Sequence, residues 1–292
     1  PQLSSQVSFV TNEVGDFQFQ VQAIDNRLRT SKIVTLPFSI SRVWYLDPKT
    51  AVPFWGGILL LIGFSVVNYV NYRKKSKEAK DLRDLAAFKH QKGQLAILER
   101  QPLGGGDEFF KKLSERPLNV IGIVGKKTCV EEILALLEDE ISEDLKSSDF
   151  YMQWVIDMAG VCNIFCETLA TSTVGFCLAT QRACQRYHID NVPLRLLVTY
   201  YGRGTEWVPD TAVDRLAYDS GMPNNKILTN NNARKFLNAW DIAIFRGGPD
   251  GLLHRTPDAA LNTPSILLRL DHESFWDTVF RDTQEGVFSK PL

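Results

Sequence analysis

The chain has 292 residues with 33 Lys or Arg and 34 Asp or Glu, so its formal net charge at pH 7 is −1. This length allows two domains or one large β-rich domain. The balanced charge excludes the global basic field on which non-specific nucleic-acid binding depends, so we expect no nucleic-acid partner.

Residues 1–48 contain two segments, GDFQFQVQAID and SKIVTLPFSIS, in which apolar and polar side chains alternate. A period of two predicts half-buried strands, here an antiparallel pair joined through the polar DNRLRTS. The pattern loosely resembles the closing strands of an immunoglobulin-like sensor sandwich. Because two strands cannot bury a core, we expect further strands or a partner to complete this partial β-sandwich-like region.

Residues 51–72 have no charged side chain and are almost entirely apolar at the start. A run of about 20 such residues spans the hydrocarbon core of a bilayer, so we predict one transmembrane helix. Trp55 near one end and Tyr69 and Tyr72 near the other are typical of membrane interfaces. The alternative is a buried core helix.

Basic residues are concentrated after this segment. They are Arg73, Lys74, Lys75, Lys77, Lys80 and Arg83, whereas only Arg42 and Lys49 precede it at similar distance. The positive-inside rule therefore predicts an extracytoplasmic or lumenal N-terminus and a C-terminal part on the cytosolic, stromal or matrix side. Membrane lipids are expected partners, because the basic cluster can contact anionic headgroups.

Residues 73–107 combine a mixed-charge helical composition with the glycines of LGGGDE. We predict a juxtamembrane helix followed by a flexible linker, and a separate domain over residues 108–292. Within that domain, Thr128 and Glu131 predict a capping box, and a second helix is expected over residues 150–169.

From Val174 onward, short segments rich in β-branched and aromatic residues alternate with Gly, Pro, Asn and Asp clusters. They include RLLVTYY, WDIAIF and SILLRLD, and they predict strands. Helices followed by strands indicate an α+β domain with an antiparallel sheet, which closes as a sandwich or a jelly-roll barrel.

The five cysteines all follow residue 128, which argues against a disulfide framework and for a reducing compartment. The last four have the spacing C-x3-C-x10-C-x6-C. We expect buried thiols that behave as small hydrophobic side chains; an iron–sulfur or structural zinc site is the alternative.

His188 and Asp190 form a His-x-Asp pair at a strand end, and His254 follows a later strand. A jelly-roll barrel can bring two histidines and one carboxylate to a divalent metal and leave one face open. Arg269, on a predicted strand, could bind the carboxylate of a co-substrate through two parallel hydrogen bonds. The alternative is a histidine that simply bonds a nearby carboxylate.

The stretches CQRYHIDNVPLRLLVTYYGRGTEWVPD, WDIAIFRGG, LLHRTPD and LLRLD carry a resemblance that covers about residues 108–290. They resemble a mostly bacterial family of domains of unknown function, marked by aromatic-His-x-Asp, R-L-L-x-T-Y, G-x-G-T-E-W and H-R-[ST]-P. The motif layout is similar to iron(II)/2-oxoglutarate dioxygenases, whose double-stranded β-helix is a jelly roll. That similarity implies His188, Asp190 and His254 as metal ligands.

The same resemblance leaves two roles open. Arg269 or Arg255, which follows the distal histidine, would bind the co-substrate. In the G-T-E-W motif, Glu206 could support the metal ligands or Trp207 could fill the core.

Two functions fit these observations. One is a single-span membrane protein with an iron(II)/2-oxoglutarate oxygenase-like domain, with zinc as the alternative metal. The other is a non-catalytic subunit of a larger membrane complex, with a vestigial or zinc-bound site. Gly56, Gly57, Gly63 and Ser65 favour the second, because small residues allow close packing against the helices of other subunits.

Overall fold

The computed structural model describes residues 13–182 and 184–275. The chain divides into two compact units, Pro1–Lys75 and Ser76–Leu292. Each is described by itself below.

The first unit contains an antiparallel pair of strands, β1 (Gly15–Val21) and β2 (Val34–Ile40), in register from Gly15 opposite Ile40 to Val21 opposite Val34. Phe17 and Phe38 stack across the pair with ring centroids 5.6 Å apart. Most apolar side chains of the pair nevertheless stay exposed: Phe19 by 43%, Leu36 by 57% and Phe38 by 46%. The alternating pattern thus gives two strands, while residues 1–12 of the expected β region lie outside the described residues.

Helix α1 (Pro48–Ala86) contains the apolar segment predicted to cross a membrane. Its stretch Pro48–Arg73 has 26 residues and contains an 18-residue window with a mean hydropathy of 2.0, of which no residue is buried. By length and composition this helix is able to span a bilayer.

The second unit is an α+β arrangement of β3 to β11 and α2 to α8. In chain order its elements are β3 (Leu95–Leu98), α2 (Gly106–Leu113), β4 (Asn119–Gly125), α3 (Cys129–Leu137), α4 (Glu143–Lys146), α5 (Asp149–Leu169), β5 (Thr173–Ala179), β6 (Leu194–Tyr201), β7 (Glu206–Trp207), α6 (Arg215–Asp219), α7 (Asn224–Ile227), β8 (Lys235–Phe236), β9 (Ile242–Arg246), β10 (His254–Arg255), α8 (Asp258–Leu261) and β11 (Ile266–Asp271).

These strands form two antiparallel sheets. The large sheet has the order β3-β9-β6-β11-β5-β4, and the small sheet has the order β10-β7-β8. A bridge between His188 and His254 adds the chain around His188 to the small sheet, on the far side of β10 from β7. The predicted antiparallel α+β domain is therefore present, whereas closure as a jelly roll stays a prediction.

One face of the large sheet packs against α5, as the apolar composition of residues 150–169 predicts. Ser148 caps this helix by accepting a hydrogen bond from the Phe150 N–H. Trp154 of α5 is fully buried and contacts the ring of Tyr200 on β6 at 5.9 Å between centroids. Burial of this aromatic and aliphatic layer is the main hydrophobic stabilisation of the unit.

The opposite face of the large sheet carries the alternate side chains of β6, β9 and β11, because successive residues of a strand point to opposite faces. Leu197 and Phe245 on this face pack in a second apolar cluster with Leu252. The ring of Phe245 lies 4.6 Å from that of His254, so this face is turned toward the small sheet.

For residues 73–107 the sequence predicts a juxtamembrane helix followed by a flexible linker; α1 continues as a helix to Ala86, and β3 follows it. β3 pairs with β9 at the edge of the large sheet, and Phe88 is buried in the core. Gly106 begins α2, where an added Cβ would lie 2.6 Å from the ring of Phe150. The glycine therefore permits close packing, and the second compact unit, Ser76–Leu292, includes most of the segment predicted as a connector.

The predicted capping box at Thr128 is also different. The Thr128 side chain makes no capping hydrogen bond, and Glu132 rather than Glu131 accepts a hydrogen bond from the Gly125 N–H. Glu132 lies one turn into α3, where its carboxylate can reach back to the end of β4.

Candidate metal centre

His188 and His254 lie side by side on neighbouring strands of the small sheet. The His188 N–H donates to the His254 carbonyl at 3.0 Å, and the His254 N–H donates to the His188 carbonyl at 3.1 Å. Their ring centroids are 4.4 Å apart. Two residues 66 positions apart in sequence are thus fixed next to each other by the backbone.

Asp190 lies on the same face as His188, as the two-residue period of an extended segment requires. Its Oδ2 atom is 3.4 Å from Nε2 of His254. One ligand atom from each of His188, Asp190 and His254 lies within 4.8 Å of the other two. Within the described ranges 13–182 and 184–275, this is the one group of His, Cys, Asp or Glu side chains that could hold a metal ion.

The imidazoles share one hydrogen-bonding arrangement. Nδ1 of His188 lies 3.1 Å from the Arg186 carbonyl, and Nδ1 of His254 lies 3.0 Å from the Leu252 carbonyl. Because a carbonyl only accepts hydrogen bonds, we assign the proton of each neutral ring to Nδ1. Each Nε2 then has a free lone pair, as a metal ligand requires.

Burial lowers the pKa of His254 to about 4; the nearby Asp190 carboxylate opposes this shift and His188 adds to it. His254 is therefore neutral at pH 7. Its Nε2 lone pair then faces Asp190 Oδ2, which is buried and has no hydrogen-bond partner among the described residues. Two acceptors with no proton between them repel each other, and a cation between them would remove that repulsion.

The spacing of these two acceptors also fits a shared ion. Two ligand atoms about 2.1 Å from one ion, subtending 90–109°, lie about 3.0–3.4 Å apart. The observed separation of 3.4 Å falls in that range. The donor set, two neutral imidazoles and a carboxylate, suits a divalent transition metal.

A chain of ion pairs leads away from Asp190 across the large sheet. Arg195 on β6 donates from Nη1 to Asp190 Oδ1 and from Nε to Asp271 Oδ1, the latter at 2.7 Å. Arg269 on β11 places its Nε 3.2 Å from Asp271 Oδ2. Asp190 thus has Oδ1 fixed by Arg195, while Oδ2 is directed at the histidines.

The two arginines predicted to bind a co-substrate lie on different surfaces. Arg269 lies on the face of the large sheet that carries Arg195 and Asp271, and 22% of its side chain is exposed. Arg255 follows His254, so its side chain lies on the opposite, outer face of the small sheet. There its guanidinium binds Glu206 Oε2 at 3.0 Å and Asp258 at 2.6 Å.

The outer face of the small sheet also holds Tyr187. Its hydroxyl donates to Glu206 Oε1, and its ring lies under the guanidinium of Arg255 at 5.2 Å. Burial, followed by the hydrogen bond to Glu206, raises the pKa of Tyr187. Hydrogen bonds to Asp258 and Glu206 raise the pKa of Arg255 although burial opposes this shift. The structure thus places Glu206 on the outer face and Trp207 on the inner face, where Trp207 packs in the second apolar cluster.

Sequence reasoning missed Tyr187, Arg195 and Asp271. The sequence gives the type of each residue but not its partner, because strand pairing sets the partners. Asp271 is 76 positions from Arg195, and Glu206 is 49 positions from Arg255. The strand pattern of RLLVTYY was the one available signal, because it places Arg195 on the face opposite the core-facing Leu196.

The cysteines form no comparable group in the part of the chain that the structure describes. Cys129, Cys162, Cys166 and Cys177 are buried free thiols and Cys184 is exposed. Burial raises the pKa of Cys166 to about 11. Four of the five cysteines are thus buried, as expected, whereas Cys184 is not.

No curated protein matches the chain. A family model described as "Protein of unknown function (DUF1826)" matches residues 79–271, which is more than half of the chain and includes His188, Asp190 and His254. The chain therefore belongs to the DUF1826 family.

Proposed function

We propose that this chain is a membrane-anchored oxygenase of the iron(II)/2-oxoglutarate type, with His188, Asp190 and His254 as metal ligands. The observation that carries the proposal is the buried Asp190 Oδ2, which has no hydrogen-bond partner among the described residues and faces the free Nε2 of a neutral His254. Two histidines and one carboxylate, with further positions open, are the donor set of non-haem iron(II) oxygenases.

Strand order supports a double-stranded β-helix as the scaffold. Along the chain, strands pass back and forth between the two sheets. The large sheet holds β5, β6, β9 and β11, and the small sheet holds the segments between them: the His188 segment, then β7 and β8, then β10. Eight strands that pass between two facing antiparallel sheets are typical of a jelly roll.

The co-substrate role is proposed for Arg269. Its guanidinium lies on the same face as Asp271 and Arg195, and Arg195 in turn binds the candidate ligand Asp190. A dianion such as 2-oxoglutarate and a divalent metal would keep this group of two arginines and two aspartates electrically neutral. Arg255 is already paired with Glu206 and Asp258 on the outer face, so we do not base the co-substrate site on it.

Iron(II) with 2-oxoglutarate and oxygen supplies, when bound, an oxidant able to remove hydrogen from a substrate C–H bond. The residues of this chain would hold the metal and orient its ligand side chains. The backbone carbonyls of Arg186 and Leu252 fix the imidazole tautomers, and Arg195 holds the Asp190 carboxylate. Phe245 packs against the ring of His254 and excludes water from that side.

Helix α1 is proposed as the membrane anchor. No residue of its apolar window is buried, and the basic residues that follow favour a C-terminal domain on the cytosolic, stromal or matrix side. Anionic lipids are then expected beside the basic cluster.

Metal content and co-substrate turnover test the proposal in the full chain purified in detergent. We expect about one iron per chain after reconstitution with Fe(II), succinate formation from 2-oxoglutarate, and loss of both in His188→Ala/His254→Ala. Stoichiometric zinc in the purified chain, with no succinate formation, would show that the site holds zinc rather than iron. Absence of any metal from a folded wild-type chain would contradict the metal site.

A second candidate function is favoured by the first unit. Phe19, Val34, Leu36 and Phe38 on β1 and β2 are each more than 40% exposed, so this strand pair buries almost no core of its own. A non-catalytic subunit of a larger membrane complex would cover them. Co-purification of a stoichiometric partner from the native membrane, together with a metal-free wild-type chain, would support this alternative.

A further inference from the structure

Tyr187, Glu206 and Arg255 form a connected group, here called the outer-face triad. All three are buried, with 1%, 1% and 6% exposure. The Glu206 carboxylate joins them, because Oε1 accepts from the Tyr187 hydroxyl and Oε2 accepts from Arg255 Nη2 at 3.0 Å. The Arg255 guanidinium lies over the Tyr187 ring and closes the group.

Each member of the outer-face triad is the sequence neighbour of an inner-face residue at the candidate metal centre. Tyr187 precedes His188, Arg255 follows His254, and Glu206 precedes Trp207, which pairs with His254 across the sheet. The triad therefore lies, on the outer face, directly beside the positions of His188, His254 and Trp207 on the inner face.

The contact from Tyr187 to Glu206 also crosses a strand. β10 lies between the His188 segment and β7, so the hydroxyl of Tyr187 reaches over β10 to a carboxylate on the far side. β10 has only two residues. So short a strand is held by few ladder hydrogen bonds, and a slip of one residue would turn His254 to the wrong face.

We propose that the outer-face triad positions the metal ligands, by holding the His188 segment, β10 and β7 in the one register that brings both Nε2 atoms to the same ion. This inference rests on the proposed metal site and deepens it. Tyr187 belongs to the aromatic-His-x-Asp motif, Glu206 to G-T-E-W and Arg255 to H-R-[ST]-P. The three motifs would thus share one role.

Co(II) binding to the metal-free full chain in detergent tests the inference. In Glu206→Gln, Arg255 keeps its pair with Asp258 and stays compensated, so the variant is expected to fold. It loses the charged acceptor that joins the triad, and we expect Co(II) affinity to fall about 10–100-fold, the usual effect of removing an outer partner of a metal ligand. The visible absorption of bound Co(II) should shift as ligand geometry changes.

Two further variants separate positioning from general stability. Tyr187→Phe removes a single hydroxyl and should lower Co(II) affinity in the same direction; it decides the question if Glu206→Gln does not fold. Glu143→Gln is the matched carboxylate-to-amide control, because that side chain is 87% exposed and lies on α4, outside the small sheet. It should bind Co(II) within about twofold of wild type.

The outcomes distinguish this inference from the proposed function. Wild-type affinity and an unchanged Co(II) spectrum in folded Glu206→Gln and Tyr187→Phe, even with lower melting temperatures, would overturn the positioning role and leave the metal site intact. A wild-type chain that binds no Co(II) would overturn both.

Discussion

The Nε2 atom of His254 lies 3.4 Å from Oδ2 of Asp190, and neither atom has a proton to share with the other. Arg195 accounts for the second oxygen of the carboxylate, so the unpaired oxygen is the one turned toward the histidines. This arrangement makes metal binding the simplest account of why two buried acceptors face each other.

Asp190→Asn should remove metal-dependent stabilisation. A metal that binds only the folded state at about 100 times its dissociation constant stabilises that state by about 2.7 kcal/mol. We expect wild type to melt at a higher temperature with Co(II) than without it, and Asp190→Asn to show no difference. Glu143→Gln, an exposed carboxylate on α4 outside the small sheet, should respond as wild type does. An equal Co(II) shift in Asp190→Asn would contradict the ligand assignment.

Arg269→Lys should weaken co-substrate binding without removing the metal. Lysine keeps the charge but loses the paired N–H donors that match a carboxylate, and a charge-assisted hydrogen bond of about 1.5–3 kcal/mol corresponds to roughly a 10–100-fold loss of affinity. Titration of 2-oxoglutarate into the Fe(II)-loaded protein under argon measures this. An unchanged affinity for 2-oxoglutarate at full metal content would show that another cationic side chain of the site binds the co-substrate.

The metal-free protein should lose stability as the pH falls below about 6.5, because the pKa of His254 is about 4 when folded against 6.5 in the unfolded chain. The unfolded state then binds the proton first, which favours unfolding between these two values. From pH 7 to pH 5 this single group should lower the free energy of unfolding by about 2 kcal/mol. Urea unfolding followed by tryptophan fluorescence measures the loss, and His254→Asn should lack this component. Equal pH dependence in both proteins would contradict a buried neutral His254.

Thiol labelling should separate Cys184 from the other cysteines. Cys184 is exposed, whereas burial raises the pKa values of Cys129, Cys162, Cys166 and Cys177 and keeps them as unreactive thiols. We expect one thiol per folded chain to react quickly with a maleimide at pH 7, and five after unfolding. The variant Cys184→Ser should then show almost no fast labelling. Rapid modification of two or more native thiols would contradict the packing around α5.

The sequence predicts the strands and the candidate metal-binding cluster better than it predicts the contacts between them. Periodicity locates β6, β9 and β11, and the His-x-Asp spacing places His188 and Asp190 on one face. Whether Arg255 or Arg269 lies on the inner face depends on which face each strand turns toward the other sheet, and that is a property of the folded sheets. The role of Glu206 likewise depends on β10 lying between its strand and that of Tyr187.

The start of the folded unit was the least predictable feature, and it gives the last prediction. LAIL is too short for periodicity to separate strand from helix, and the glycines of LGGGDE resemble a joint. In the structure β3 covers the edge of β9, Arg246 donates to the Gly93 carbonyl at 2.8 Å, and Leu85, Phe88 and Leu98 are buried. Loss of three such side chains costs roughly 5–9 kcal/mol, comparable to the whole stability of a domain.

A protein starting at Ser76 should therefore be monomeric with a cooperative thermal transition. One starting at Glu108 should aggregate through the uncovered β9 edge, which size-exclusion chromatography would detect. A well-folded 108–292 fragment of equal melting temperature would show that β3 adds nothing to the core.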